Sequence, residues 1–261
     1  MNTDKHRKNQ LLVLLSILIS YALLAFIAYT FIPLDMLQLK MVSASEKLVT
    51  GARWIMGIKQ AGMVIIYLPL ILAGYSFARK LDFPTVFRLG AGFRSWFLWP
   101  MLIGIGVGMI LIVIDCIFRA IVSPVWLIHP DFPFSIIASA TAAIGEEIIF
   151  RSFLMGLFVF LLTRVLKSKK MSNVAFWCGN ILAAICFSAG HLPGTLQILN
   201  TTGLSEIPFT VIAEVFLICT LVGVIAGLWY RRDGLIAAIG IHFWIDIVWH
   251  VIWPVGPWYS G

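Results

Sequence analysis

Two adjacent acids and an arginine lie within a long apolar stretch of this 261-residue chain, in the segment Glu146-Glu147-Ile148-Ile149-Phe150-Arg151. A charged side chain at the centre of a bilayer costs about 2.5–3.5 kcal/mol on insertion scales. Two further apolar stretches carry His191, and His242 with Asp246. Titratable groups in such surroundings need compensating contacts or a use, so they are the first candidates for chemistry.

The spacing within the acidic segment predicts two roles. Glu147 and Arg151 are four residues apart, and residues at this spacing share one face of an α-helix. We expect them to pair as a structural clamp, because pairing lowers the cost of burying both charges. Glu146 points about 100° away from that face and lacks this partner. A desolvated carboxylate can act as a general base near neutral pH, so Glu146 is the predicted reactive group.

The histidines lie in two other apolar stretches. Pro193 and Gly194 follow His191 and predict that its helix ends or kinks there. His242 and Asp246 are four residues apart, and a further histidine, at position 250, continues the same helical face.

Helical rise gives the depth of each group in the membrane. At about 1.5 Å per residue, Glu146 and His191 both lie roughly 25 Å from the cytoplasmic ends of their spans. His242 and Asp246 come out shallower. The arithmetic therefore permits Glu146 and His191 to meet.

Each group also has a structural interpretation. A lone intramembrane histidine serves helix-to-helix hydrogen bonding about as often as chemistry. Asp115 and Arg119, four residues apart, predict a structural ion pair, and Glu214 is isolated in the sixth span. The combination of two glutamates, two histidines and one aspartate on three spans favours chemistry.

Composition places the chain in a membrane. It is 61% hydrophobic and 12% charged, with a mean hydropathy of +0.97, whereas soluble domains have roughly 45–50% apolar and 25% charged residues. We expect one integral membrane domain with no separate soluble domain. The four cysteines lie in apolar runs without a CxxC pair, which predicts buried thiols rather than a zinc knuckle or a disulfide framework.

The predicted fold is an all-α, polytopic transmembrane helix bundle, since about 20 apolar residues cross a bilayer as a helix. The fourth span is long and is expected to bend or break after Arg151, which leaves room for an eighth span. The longest loop, over residues 33–57, is expected to include a short interfacial helix. The predicted spans lie near residues 11–32, 57–78, 96–118, 134–163, 174–199, 207–229 and 234–253.

The distribution of basic residues predicts the orientation. With the N-terminus in the cytoplasm, 13 Lys and Arg residues fall on the cytoplasmic side and 5 on the other. This bias supports an odd number of spans with the N-terminus inside and the C-terminus outside. The net charge of +7 therefore reflects membrane orientation, and no nucleic-acid partner is expected. Glycines four residues apart, at positions 104 and 108 and at positions 223 and 227, predict close helix packing.

Together the polar groups resemble the motifs of the CPBP family, which comprises CAAX prenyl proteases of the Rce1 type and bacteriocin-processing or self-immunity membrane proteins, also called Abi proteins. The matching region runs from about Ser135 to Val251. The motifs that carry the resemblance are Glu146-Glu147-x-x-x-Arg151, Phe187-x-x-x-His191, His242-x-x-x-Asp246 and the turn Arg231-Arg232-Asp233-Gly234.

The resemblance implies a multi-pass protein of a cell membrane, the cytoplasmic membrane of a bacterium. It divides one integrated membrane domain into N-terminal transmembrane helices over 1–130 and a protease core over 131–255. The implied activity is that of an intramembrane endopeptidase. Its partners are the lipid bilayer and a membrane-associated protein or peptide substrate, cleaved in CAAX-type proteolysis or in bacteriocin or signal-peptide maturation.

The resemblance also implies residue roles. Glu146 would activate water, aided by His191, while His242 and Asp246 would stabilise the oxyanion. Glu147 and Arg151 would support this geometry. Because an ionised carboxylate repels an oxyanion, Asp246 is either protonated by its apolar setting or orients His242 from one turn away, and we favour the second.

Other interpretations remain open. The glutamate mechanism requires no cofactor, and the chain lacks the zinc motif HExxH, but two histidines and two acids are also a possible zinc site. The alternative function is that of a non-proteolytic bacteriocin self-immunity or binding protein. A transporter or proton relay would favour inverted repeats, and none stands out in the sequence.

Overall fold

A computed structural model describes residues 3–31, 50–122, 129–166 and 171–256. No strand occurs among these residues, which confirms the predicted all-α fold. The α-helices of the described residues are, in chain order, α1 (Thr3–Phe31), α2 (Thr50–Lys80), α3 (Trp99–Val122), α4 (Phe134–Glu146), α5 (Gly156–Leu166), α6 (Ser172–Gly190), α7 (Leu192–Leu199), α8 (Phe209–Asp233) and α9 (Leu235–Asp246).

Seven helical stretches in the described part of the chain are long and apolar enough to cross a membrane, as predicted. The eighth span does not occur there, because a π-helical segment, Glu147–Met155, joins α4 to α5 without a break. Residues 32–49 lie outside the described residues, and so does the interfacial helix expected in that loop. The seven stretches are His6–Phe31, Arg53–Lys80, Arg94–Ile121, Phe134–Leu166, Ser172–Leu199, Phe209–Asp233 and Leu235–Val255.

Apolar side chains cover the outside of the bundle as well as its core. Ile65, Val165 and Phe209 are each more than 70% exposed, as expected for helices that face lipid tails as apolar as their own side chains. The buried apolar residues form two clusters. The first includes Ile148, Phe176, Ala183, Tyr230 and Ala238. The second includes Leu111, Phe187, Ile218, Ile241 and Trp249.

One end of the bundle is fixed by polar contacts between chain segments, and we call it the basic end. The Gln10 side chain donates to the Phe87 carbonyl at 2.7 Å, which attaches α1 to the loop between α2 and α3. Arg88 Nε lies 2.7 Å from the buried Asp233 carboxylate at the end of α8. Gly234 then turns the chain into α9 with a φ of 98°, and a Cβ there would lie 2.7 Å from the Val86 carbonyl. Glycine suits this turn because it adopts a positive φ without strain and has no Cβ to collide with the Val86 carbonyl.

Small residues bring α3 against α9, the helix that carries His242. A Cβ on Gly104 would lie 2.7 Å from the Ile241 carbonyl oxygen, and one on Gly108 would lie 2.6 Å from the Val248 Cβ. In α8, a Cβ on Gly223 would lie 2.8 Å from the Ala184 Cβ of α6. The close packing predicted from the glycine spacing is therefore confirmed.

We predict that Gly108→Ala lowers the free energy of unfolding by about 1–3 kcal/mol, because the added methyl group overpacks the contact with Val248. Gly106 is the matched control, since it lies on the same helix and a Cβ there meets nothing within 4 Å. The thermal unfolding midpoint of each variant is measured in detergent. Equal midpoints for Gly106→Ala and Gly108→Ala would contradict the packing assigned to α3 and α9.

Candidate active site

The predicted site residues lie where α-helices change to wider π-helical turns. Helix α4 ends at Glu146, and the π-helical segment begins at Glu147. Helix α9 ends at Asp246 and continues as a second π-helical segment, Ile247–Ile252. Short π-helical stretches inside α-helices frequently occur at functional sites, and here two of them adjoin the candidate groups.

Glu147 and Arg151 form the predicted pair. Arg151 Nε lies 3.2 Å from Glu147 Oε2, and both side chains are fully buried. The Arg151 guanidinium also lies 5.0 Å from the centre of the Phe187 ring on α6. On its other side it packs against Gly223 of α8, where a Cβ would lie 3.1 Å from Nη2. The arginine therefore contacts two other helices, α6 and α8, besides providing the counter-charge.

Glu147 also fixes the orientation of His242. Its Oε1 lies 2.9 Å from His242 Nδ1 in a buried contact. Because a carboxylate only accepts hydrogen bonds, this contact assigns the proton to Nδ1. The opposite ring nitrogen, Nε2, lies 3.6 Å from Glu146 Oε2 and 3.7 Å from Asp246 Oδ1.

This geometry corrects two expectations. We expected Asp246 to orient His242, but the hydrogen bond that holds the ring comes from Glu147, and Asp246 lies on the Nε2 side at a longer distance. We also expected His242 to lie shallower than Glu146, yet their side chains are 3.6 Å apart. Residue counts fail here because the end of α5, from which the depth of Glu146 was counted, and the start of α9 lie at different levels of the bundle.

The two adjacent glutamates have different environments. The Glu146 side chain is 32% exposed, whereas Glu147 is fully buried. Glu146 approaches His242 rather than Arg151, as its position on the helix predicted. The Tyr21 hydroxyl of α1 packs beside Gly145 and is close enough to Glu146 for an electrostatic interaction. Glu146 is therefore the more exposed of the two acids, although it does not line the cavity described below.

His191 joins the same region from α6. This helix ends at Gly190, as predicted from Pro193 and Gly194. The Nδ1 atom of His191 lies 2.8 Å from the Phe187 carbonyl oxygen. The Phe187 ring lies between the two histidines, 4.6 Å from His191 and 5.6 Å from His242.

A cavity of about 180 Å³ connects His191, His242 and Asp246, which all line it. The Cys219 thiol of α8 also lines the cavity and is close enough to His191 for an electrostatic interaction. Most of the remaining wall is apolar. The arrangement can therefore enclose an apolar peptide segment beside polar groups that accept and donate protons.

Sequence reasoning missed Tyr21 and Cys219. Each contact joins helices far apart in the chain, Tyr21 with Glu146 and Cys219 with His191. No local spacing signals such a contact. The four cysteines are free thiols, as predicted, but the prediction that all are buried is wrong. Cys219 is buried and Cys186 partly buried, whereas Cys116 and Cys178 lie on exposed helix faces.

A second polar network lies at the end of the bundle away from the basic end. The predicted pair is present, with Arg119 Nε 2.7 Å from Asp115 Oδ2. Trp253 donates from its indole to the same carboxylate at 3.2 Å. Glu214 was expected to be isolated, but it is close enough to Asp115 and Arg119 for electrostatic interactions.

His129 belongs to this second network and lies outside the spans. Its Nδ1 is 3.0 Å from Nδ1 of His250. Burial and the Arg119 charge lower the pKa of His129 to about 4, so this ring is neutral at neutral pH. A neutral imidazole suits a contact between two histidine rings, since one nitrogen can donate while the other accepts.

The sequence left open a zinc site built from two histidines and two acids. Nowhere in the described parts of the chain do three His, Cys, Asp or Glu side chains converge in a way that would hold a metal ion. The Glu147 oxygens are directed at Arg151 and at the Nδ1 atom of His242. The Glu146 and Asp246 carboxylates lie on the other side of the His242 ring, 3.6 and 3.7 Å from Nε2. The metal-free mechanism used below is part of the proposed function.

A family model described as type II CAAX prenyl endopeptidase Rce1-like matches residues 96–248. The matched range covers more than half of the 261 residues and contains all three motifs that carried the resemblance. No curated protein and no solved structure matches the chain significantly.

We predict that Arg151→Met lowers the free energy of unfolding by about 3–5 kcal/mol, because it leaves the buried Glu147 carboxylate without its cation. The double variant Glu147→Gln/Arg151→Met removes both charges and should recover part of that loss. The free energy of unfolding of each variant is measured in detergent. Arg94→Met is the control for loss of an arginine, because Arg94 is exposed. Equal losses in the single and double variants would show that the two charges are not coupled.

Proposed function

Because this chain belongs to the Rce1-like family of type II CAAX prenyl endopeptidases, we propose that it is an intramembrane endopeptidase. It hydrolyses a peptide bond of a membrane-associated protein or peptide. The family and the seven apolar helices make it a multi-pass membrane protein. The glutamate mechanism, the substrate class and the membrane are parts of the proposal.

One observation carries the proposal, namely the contrast between Glu146 and Glu147. Glu147 is fully buried and contacts Arg151 and His242, so its oxygens are occupied. Glu146 is 32% exposed and lies 3.6 Å from His242 Nε2. A carboxylate that water can reach, next to an oriented imidazole, has the position required of a general base.

The proposed reaction starts when Glu146 accepts a proton from a water molecule. The resulting hydroxide oxygen bonds to the carbonyl carbon of the scissile peptide and gives a tetrahedral oxyanion. Protonated Glu146 then transfers its proton to the amide nitrogen, and the C–N bond breaks to release a carboxylic acid and an amine. His191 lines the cavity together with His242, the neighbour of Glu146, and positions the water and the peptide.

The developing oxyanion is stabilised by His242 in its doubly protonated form. Its Nδ1–H donates to Glu147, and its Nε2–H donates to the oxyanion. Glu147 holds Nδ1, so the ring cannot rotate and Nε2 stays directed at the region shared with Asp246. Preorganised donors of this kind contribute strongly to acyl-transfer catalysis. Because Glu147 already orients the ring, Asp246 acts in its protonated form, in which its carboxyl group donates to the same oxygen.

The substrate follows from the family and the cavity. The apolar wall accepts apolar side chains, as in a CAAX-type sequence, a bacteriocin precursor or a signal peptide. The cytoplasmic membrane of a bacterium is the proposed location. No feature of the site favours the alternative of an immunity or binding protein, and the experiment below distinguishes it.

We predict that Glu146→Gln reduces hydrolysis by at least about 100-fold, because the amide cannot accept the proton of water. Membranes from cells that carry either form at equal abundance would be compared by sequencing of new protein N-termini. N-termini that occur only with the wild type would establish a Glu146-dependent peptidase and identify its substrates.

The control for this experiment is Glu206→Gln, the same chemical change at an exposed glutamate that bonds to Thr202 in a loop. Membranes that carry this variant should contain the same new protein N-termini as membranes that carry the wild type. An unchanged thermal midpoint of Glu146→Gln shows that the fold is intact. Identical N-termini in wild type and Glu146→Gln, with the cellular phenotype retained, would refute the protease and favour the binding role.

We also predict that metal chelators leave hydrolysis unchanged, because Glu146 activates water without a metal. The test adds 1,10-phenanthroline to membranes that contain the wild-type protein and measures formation of the N-termini identified above. A zinc metalloprotease in parallel membranes shows that the chelator is effective. Loss of activity that added zinc restores would contradict the metal-free mechanism.

A further inference from the structure

The basic end of the bundle contains a second cavity, apart from the candidate active site. Its volume is about 640 Å³, within the range of about 300–1,000 Å³ that is typical of small-ligand sites. Among the described residues it shares no lining residue with the cavity beside His191. Its described lining also lies wholly before residue 96, where the family match begins. The Rce1-like motifs therefore do not account for it.

Three arginines line this cavity, and we call it the arginine cleft. Arg7 lies near the start of α1, Arg79 in the last turn of α2 and Arg88 in the loop between α2 and α3, and all three are exposed. Arg88 pairs with Asp233. Arg7 and Arg79 form no ion pair with any side chain that the structure describes. Asp82 is the one carboxylate in the described lining, so the cleft carries an excess of positive charge.

The wall of the cleft is held in place by Gln10. The Gln10 side-chain oxygen accepts from the backbone N–H groups of Val86 at 2.9 Å and Phe87 at 3.2 Å. Its amide nitrogen donates to the Phe87 carbonyl and to Nε2 of His6, at 2.7 and 3.0 Å. Because Nε2 of His6 accepts, the proton of this ring lies on Nδ1 and is a further donor in the lining. These contacts fix α1 against the loop that carries Arg88.

The cleft lies at the edge of the apolar layer of the membrane. It is formed where the span His6–Phe31 begins and the span Arg53–Lys80 ends, which is the level at which phospholipid headgroups meet the hydrocarbon core. One side of the cleft is apolar. Leu89 lines it and is exposed, and the Phe87 ring contacts the exposed Trp96 ring at 5.4 Å. A ligand in the cleft therefore meets cations and lipid-facing apolar side chains together.

We propose that the arginine cleft binds the phosphate group of an anionic phospholipid headgroup. Guanidinium groups bind phosphate oxygens in a bidentate manner, and basic pockets between transmembrane helices bind lipid headgroups. A zwitterionic headgroup brings its own cation, which the arginines repel, so a headgroup with net negative charge is favoured. The apolar side of the cleft accepts the acyl chains, which favours a lipid over a soluble phosphate ester.

Native mass spectrometry of the purified full chain in detergent tests this site, with phosphatidylglycerol as the titrated lipid. Arg7→Gln/Arg79→Gln should weaken lipid binding by about tenfold or more, because it removes two cations that face the phosphate. Lys8→Gln/Lys80→Gln is the matched control. It removes the same charge from adjacent positions of the same two helices, and neither lysine lines the cleft. This control should retain the wild-type affinity, and equal weakening in both variants overturns the inference.

Two further ligands identify the source of the phosphate. Phosphatidylcholine has the same phosphodiester but no net charge, and it should bind the wild type more weakly than phosphatidylglycerol. Glycerophosphoglycerol is the headgroup without acyl chains, and it should not displace the lipid at the concentration at which the lipid saturates the protein. If phosphatidylcholine binds equally well, the site for an anionic headgroup is refuted. If glycerophosphoglycerol binds as tightly as the lipid, the ligand is a soluble phosphate ester and the assignment to a lipid fails.

Thermal unfolding provides an independent measurement of binding and of the fold. Phosphatidylglycerol should raise the unfolding midpoint of the wild type and of Lys8→Gln/Lys80→Gln, but not that of Arg7→Gln/Arg79→Gln, because a ligand that binds the folded state stabilises it. If the double arginine variant does not fold, the single variants Arg79→Gln and Lys80→Gln replace the pair. Equal lipid affinity of these two single variants would then refute the site.

Discussion

The Glu147 carboxylate is the contact on which the centre of the molecule depends. One oxygen faces Arg151 and the other holds His242 on α9, and neither partner is accessible to bulk water. Arg151 in turn packs against α6 through Phe187 and against α8 through Gly223. A buried charge is tolerated only when it is well paired, so this carboxylate requires four helices to meet in one arrangement.

That requirement separates two neighbouring glutamates by function. Successive residues of a helix point about 100° apart, so burying Glu147 among its partners directs Glu146 to the side that water reaches. The same carboxylate prevents rotation of the His242 ring and keeps Nε2 facing Glu146. In the proposed reaction the inaccessible acid thus positions the groups that act, and the accessible acid moves the proton.

The polar centre lies where the two apolar clusters meet. In α6 the boundary falls between Ala183 and Phe187, and in α9 between Ala238 and Ile241. The first cluster packs the half of the bundle near the basic end, whereas the cavity extends through the second towards the other end. The polar groups therefore lie at the boundary between the two clusters, and the second cluster supplies the apolar wall of the cavity.

The sequence by itself determined the membrane class, the number of spans, the pairing of Glu147 with Arg151 and the motifs that identify the family. These follow from composition, from apolar length and from four-residue spacing, all of which are local. The tertiary structure decided that Glu147 rather than Asp246 orients His242, that Tyr21 and Cys219 adjoin the site, and that Glu214 has a partner. Contacts between helices depend on their relative level and rotation, which the π-helical segments shift and which spacing along one helix does not encode.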